Sequence, residues 1–306
     1  MTRPPFDRVL LPVSTEEDAR VTSRAARSYF DGRAEGLVFV HVIEAGGDGP
    51  AKTSPAALKE RAGDVFAAVR EPFERDDPVR TELRSGPDVI EEVFGAADEM
   101  DASAIAFVPR SGNRLTKFLG GDHERRLTRE NHLPIIVLPQ PEAERTGEPA
   151  DVGSDREPEG PAVVVPIDDS EAARAALRYA VRTFPDAEIE LVHVIEPRNS
   201  GVYESVTGGP SSDYEAVEKE RRRDTEALFD EAKSSVEGTN LDVSTAIAVG
   251  NPTEMIAARA EEVGAEQIVM GRSGDESVTK RLFGGVSKGV MNSSTVPVTI
   301  VDPEGT

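Results

Sequence analysis

Short runs of consecutive apolar residues alternate along this chain with longer stretches in which apolar positions recur every three or four residues. The short runs read as buried strands and the longer stretches as amphipathic helices. In the C-terminal part the pattern predicts a strand over Val163–Ile167 and a helix over Ser170–Phe184, with Asp168, Asp169 or Ser170 as its cap. A strand over Ile189–Ile195, a polar loop over Pro197–Asp213 and a long helix over Tyr214–Val236 follow. Leu241–Val249 alternates like a half-buried strand, and Pro252–Val263 reads as a helix with proline in its first turn. Gln267–Met270, a helix from about Gly285 to Asn292, and Val298–Val301 complete the pattern. Strands separated by helices imply right-handed crossovers and a parallel sheet with helices on both faces.

The pattern occurs twice. Val9–Ser14 returns as Val163–Asp168, and Leu37–Glu44 as Ile189–Glu196. Ala104–Gly112 returns as Glu266–Gly274, and Leu133–Leu138 as Val296–Val301. Four blocks recurring in the same order indicate a duplicated unit. Between the copies, Gln140 to Pro161 is rich in Pro, Gly, Glu and Asp and poor in large apolar side chains, so it cannot offset its own ordering entropy and reads as a linker. The expected organisation is a domain over residues 1–140, a linker over 141–161 and a second domain over 162–306. Each domain is expected to be α/β, doubly wound, with a five-stranded parallel sheet.

Charge narrows the function. Across 306 residues there are 57 Asp and Glu against 35 Lys and Arg, a formal net charge of −22. Such a chain repels nucleic-acid phosphates and anionic lipid, so neither is expected as a partner. Carboxylate excess with arginine favoured over lysine also fits a salt-rich cytoplasm, where screening removes self-repulsion; a halophilic source is the expectation. There is no cysteine, which excludes disulfides, thiolate catalysis and Cys-based metal sites. No stretch approaches a membrane span, the N-terminus lacks a signal peptide's apolar core, and a cytoplasmic location is expected.

The candidate chemistry lies after the fourth strand of the second copy: Gly271-Arg-Ser-Gly274, nine residues, then Gly284-Gly-Val-Ser287. Glycines at a strand end permit positive φ and close approach of backbone N–H groups, and a glycine opening a helix presents free N–H groups to an anion. Two such turns facing one strand end make a phosphate cradle; the plainer alternative is that they only form tight turns. The Gly-x4-Gly-Lys-Ser/Thr run of P-loop hydrolases is absent, as is His-Glu-x-x-His. His41 and His193 recur at one strand position, which points to packing or hydrogen bonding.

Here the sequence resembles the universal stress protein (UspA-like) family, whose nucleotide-binding members carry Gly-x2-Gly-x9-Gly-Ser/Thr after strand four. Gly271, Gly274 and Gly284 match, and Gly285 stands where the family has Ser or Thr. Asp168 matches the aspartate ending strand one, Val192-His193-Val194 the strand-two pattern, and Gly250-Asn251-Pro252 the turn after strand three. The resemblance covers nearly all of both copies. It implies ATP or a related adenine nucleotide as ligand, with Mg²⁺ as an optional companion. Asp168 and Val194 would lie at the adenosine end, and Gly271, Gly274, Gly284, Gly285, Val286 and Ser287 around the phosphates. It also implies pairing through the last strands, here Ile135–Leu138 with Val298–Val301 across a pseudo-twofold axis, as an intrachain pseudo-dimer with a further homodimer as an additional level of assembly. A stress-response regulator with little or no catalysis and a protein partner of unspecified kind are implied as well. A nucleotide-independent scaffold is the first alternative and a slow ATPase the second.

The first copy departs from the pattern. Ser14 replaces the aspartate, and Pro109 replaces the first glycine and removes an N–H. Only seven residues separate Gly112 from Gly120, and Asp122-His123 stands in place of Val286-Ser287. A carboxylate beside phosphate oxygens is repulsive, so the first copy is expected to bind ATP poorly.

Overall fold

The computed structural model describes residues 4–44, 55–109, 133–139, 162–196, 212–239, 241–272 and 285–303. The first half runs β1 (Phe6–Val13), α1 (Glu16–Phe30), β2 (Ala34–Glu44), α2 (Pro55–Arg70), β3 (Val79–Gly86), α3 (Val89–Glu99), β4 (Ala104–Phe107) and β5 (Ile135–Val137). The second runs β6 (Ala162–Pro166), α4 (Glu171–Thr183), β7 (Glu188–Ile195), α5 (Ser212–Ser235), β8 (Val243–Val249), α6 (Pro252–Glu262), β9 (Gln267–Gly271), α7 (Gly285–Ser293) and β10 (Val298–Val301).

All ten strands form one sheet in the order β3-β2-β1-β4-β5-β10-β9-β6-β7-β8. Every neighbouring pair is parallel except β5 with β10, which are antiparallel in the register Val298↔Val137, Thr299↔Ile136 and Ile300↔Ile135. Helices cover both faces, which is why the inner strands are apolar at consecutive positions: Val9, Leu10 and Leu11 are all fully buried, as are Val163, Val164 and Val165.

Local chemistry sets the helix starts. The Thr15 side chain accepts from the Asp18 amide at the start of α1, and Ser170 Oγ accepts from the Ala173 amide at the start of α4. Asn251 caps α6, with Pro252 in its first turn. Of the three residues expected to cap α4, Ser170 is the one that does so. The Asp168 carboxylate instead accepts from the Ser170 amide and hydroxyl, fixing the cap from two residues before it.

The two halves share a core across β5 and β10. Phe107 and Val137 pack in one apolar cluster with Val298 and Ile300. Phe6 sits edge-on to Phe30 at 5.6 Å and to Phe184 at 6.2 Å. The Tyr29 hydroxyl donates to Gln267 Oε1, and Gln267 Nε2 donates to Thr299 Oγ1, all buried. Arg33 pairs with Glu266 at 2.6 Å and lies over the Tyr29 ring.

Burial pushes the hydroxyls of both Tyr29 and Tyr179 far above the ordinary tyrosine range. A pKa raised in the folded state contributes stability that is complete below the unfolded value, about 10, and is lost as pH climbs above it. Thermal unfolding is therefore expected to drop steeply above pH 10, and Tyr29→Phe/Tyr179→Phe to flatten that drop whatever it does to stability at neutral pH. An unchanged slope in the double variant would contradict the assignment. Among the described residues no helix is long and apolar enough to cross a membrane.

Candidate functional site

In the second half the strand order is β8-β7-β6-β9-β10, so the chain leaves β6 in one direction and returns on its other side at β9. The carboxyl ends of β6 and β9 thus mark the switch point where open α/β sheets bind ligands. Asp168 follows β6, Val194 lies near the end of β7, and Gly271 ends β9. Because β9 and β10 are parallel, α7 runs antiparallel to both, and its start at Gly285, Val286 and Ser287 returns to this same end. The fold therefore gathers Asp168, Val194, Gly271, Gly285, Val286 and Ser287 at one edge. Gly274 and Gly284 lie outside the described residues.

Gly271 is required for a reason other than the expected one. Its φ is not positive; among the described glycines only Gly32, Gly238, Gly250 and Gly264 have that conformation. A Cβ on Gly271 would instead sit 2.0 Å from the Ala172 carbonyl oxygen and 2.2 Å from its carbon. The first turn of α4 lies against the end of β9 with no room for a side chain. Gly285 also lacks positive φ, and a Cβ there meets nothing within 4 Å. Among the described residues, space at Gly285 therefore accommodates a serine.

A cleft of 730 Å³ opens beside this edge, between the end of β7 and α5. Its lining includes Asp169, His193, Val194, Glu196, Asp224 and Glu231. Sequence reasoning missed the α5 carboxylates, since a helix rich in Glu and Arg reads as a solvated face. Asp169 pairs with Arg174 at 2.6 Å, and Arg174 reaches Glu231 at 3.2 Å, so one guanidinium bridges two carboxylates on the rim. These two carboxylates hold the Arg174 guanidinium above its ordinary range. His193 Nδ1 lies 2.8 Å from the Ile167 carbonyl, and His41 Nδ1 lies 2.9 Å from that of Val13. A carbonyl only accepts, so Nδ1 carries the proton in both rings. The recurring histidine pins the end of the second strand to the end of the first. Ser287 is buried at 2% exposure, so its hydroxyl lies within the packing of α7.

Arg272, inside the glycine loop, pairs with the buried carboxylate of Asp302 at 2.5 Å. In the first half Pro139 holds the position of Asp302. The first half differs at the switch point as well. Ser14 N and Oγ both donate to Asp18 Oδ2 at 2.8 Å, and Asp18 is 4% exposed. Where the second half presents Asp168 at its surface, the first has an exposed serine bonded to the buried carboxylate of Asp18. Thr15-x-x-Asp18 is the sequence signal of that turn, and it carries no message about ligands. Gly112, Gly120, Asp122 and His123 lie outside the described residues.

Comparison with known proteins follows from this geometry. Residues 161–302 match the model of the Universal stress protein family. The chain is 29% identical over 150 residues to Universal stress protein MJ0577 of Methanocaldococcus jannaschii, a match spanning 45% of this chain and 93% of that one. The crystal structure of a universal stress protein from Archaeoglobus fulgidus aligns over 98% of this chain and 97% of its own, with 19% identity and a TM-score of 0.53. A third likeness is to a universal stress protein solved in complex with cAMP, at 24% identity over 46% of this chain and 97% of that one, with a TM-score of 0.35.

Proposed function

We propose that the chain is a tandem universal stress protein that binds one adenine nucleotide, of the ATP class, in its C-terminal half and acts as a stress-response regulator with little or no catalysis. The observation that carries this reading is the convergence of Asp168, Val194, Gly271 and the start of α7 on one switch point beside a cleft of 730 Å³. That volume lies within the range of small-molecule sites, about 300–1,000 Å³.

The site's two ends suit the two ends of such a ligand. Carboxylates along the cleft accept hydrogen bonds from ribose hydroxyls and an exocyclic amine, and they repel phosphate. The backbone amides at the start of α7 suit the phosphates. His193 is held by Ile167 and Asp169 by Arg174, so both hold structure rather than stand poised as a base. In the first half, Ser14 and Pro109 remove the corresponding groups, and we assign it a structural role.

Titration calorimetry with ATP tests the site. Asp168→Ala is expected to weaken binding roughly 10- to 100-fold, the loss of one or two charge-assisted hydrogen bonds. Equal affinity in the variant would move the adenosine end elsewhere. The charge of −22 carries its own expectation if the source is halophilic. The unfolding temperature should rise by roughly 5–10 °C between 0.1 M and 2 M KCl, because screening relieves self-repulsion. A flat or falling profile would mark the acidity as unrelated to salt.

A further inference from the structure

At the amino-terminal ends of the first half's strands, separated from the nucleotide cleft by β4, β5, β10 and β9, lies a separate cavity of 340 Å³. Its lining brings together Arg8 at the start of β1, Arg70 at the end of α2 and Arg80 at the start of β3, with Val38, Glu82 and Met100. The strand register explains the hollow. Arg8 pairs with Gly36, and Val38 pairs with Arg80. Positions 36 and 38 share one face of β2, and Gly36 has no side chain to fill the space between Arg8 and β3.

The guanidiniums of Arg8 and Arg70 are oriented by backbone carbonyls but not neutralised. Arg8 Nη1 donates to the Met100 carbonyl, and Arg70 Nη2 donates to the Val79 carbonyl. Each bond fixes a planar group that has five N–H donors, leaving the others for a ligand. Among the described residues none of Arg8, Arg70 and Arg80 is ion-paired. Glu82, the one carboxylate among the described lining residues, lies 3.4 Å from Arg84 Nε, an ion pair without hydrogen-bond alignment. Three guanidiniums facing one shared carboxylate make a cationic hollow on a strongly acidic protein.

The second half has nothing like it at the matching place. Ala162 stands for Arg8 and Ser244 for Arg80, while Glu188 and Glu190 stand for Gly36 and Val38. There Glu190 is buried against Arg259 at 2.5 Å, so a closed ion pair replaces the open cavity.

We propose that this cavity is a second binding site, independent of the nucleotide cleft, for a small phosphate-bearing molecule. Planar guanidiniums recognise phosphate oxygens in paired hydrogen bonds, and 340 Å³ holds a phosphate with a small organic body but little more. The site lies in the half that has lost its own nucleotide residues, so it gives that half a ligand of its own.

Calorimetric titration of the full chain with inorganic pyrophosphate in 0.1 M KCl tests the proposal. The informative variants import the second half's own residues: Arg80→Ser, which removes an exposed side chain, and Arg8→Ala/Arg80→Ser. One equivalent is expected to bind the natural chain, roughly tenfold more weakly in Arg80→Ser and below detection in the double variant. Presaturation with ATP, which fills the nucleotide cleft and is too large for 340 Å³, should leave that binding unchanged. Pyrophosphate affinity that is equal in the natural chain and Arg80→Ser, absent from the natural chain, or lost on presaturation with ATP overturns the assignment.

Discussion

Gly271→Val is expected to abolish nucleotide binding and to lower stability by about 3 kcal/mol or more, the range of severe overpacking. Its Cβ would enter the backbone of Ala172 at 2.0 Å, and backbone cannot yield as the tip of a flexible side chain can. Relief requires the first turn of α4 to move away from β9. That movement displaces Ser170, and with it Asp168, whose carboxylate is held by the Ser170 amide and hydroxyl. Gly271→Ala should behave the same way on a smaller scale. Urea unfolding gives the stability change, and calorimetry with ATP gives the binding loss. Full stability in Gly271→Val would show that α4 does not press on β9 as described.

The second large effect concerns the ion pair between β7 and α6. Glu190 has a side chain 6% exposed and bonds Arg259 through two nitrogens, Nε at 3.0 Å and Nη2 at 2.5 Å, while Arg259 Nη1 reaches Glu262 at 2.7 Å. The bonds to Glu190 hold the guanidinium pKa well above its ordinary range. Removing one partner of a buried pair costs about 3–5 kcal/mol. Arg259 is about a quarter exposed and keeps Glu262, so Glu190→Ala is expected to fall near 2–3 kcal/mol. Because the raised group is a base, its contribution is complete across the neutral range and is lost only in strong alkali. The variant should therefore show the same loss at pH 6 and pH 9. Glu190→Leu with Arg259→Leu, which removes both charges, should recover most of it. A loss below 0.5 kcal/mol in Glu190→Ala would show that the pair is solvated.

Much of the architecture was legible because burial on both faces writes strands as continuous apolar runs. Val163–Val165 and Val9–Leu11 declared themselves that way, and the boundaries of β7, β9 and β10 fall within a residue of the expected ones. Repetition then located equivalent positions in the two halves, including the pairing segments Ile135–Val137 and Val298–Val301. The site was legible as a set of positions and less so as causes. Gly271 was noticed as a glycine, yet its reason is a neighbouring helix 99 residues earlier in the chain, a contact no local pattern encodes. Asp18 was invisible because a carboxylate in a first helical turn looks like any capping residue. Asp224 and Glu231 enter the cleft only because α5 lies across the end of β7. The basic cavity under the first half depends on Arg8, Arg70 and Arg80, which are far apart in sequence and joined only by strand register and the end of a helix.

Whether the duplicated chain has one working nucleotide site is answered most directly by stoichiometry. The full chain, purified in molar KCl and dialysed to equilibrium against saturating ATP, is denatured and its released adenine nucleotide counted by liquid chromatography and mass spectrometry. One nucleotide per chain, above the free ATP of the dialysate, is the predicted result. Two per chain would mean that the first half keeps a site despite Ser14 and Pro109, and none would mean that the chain works without a nucleotide.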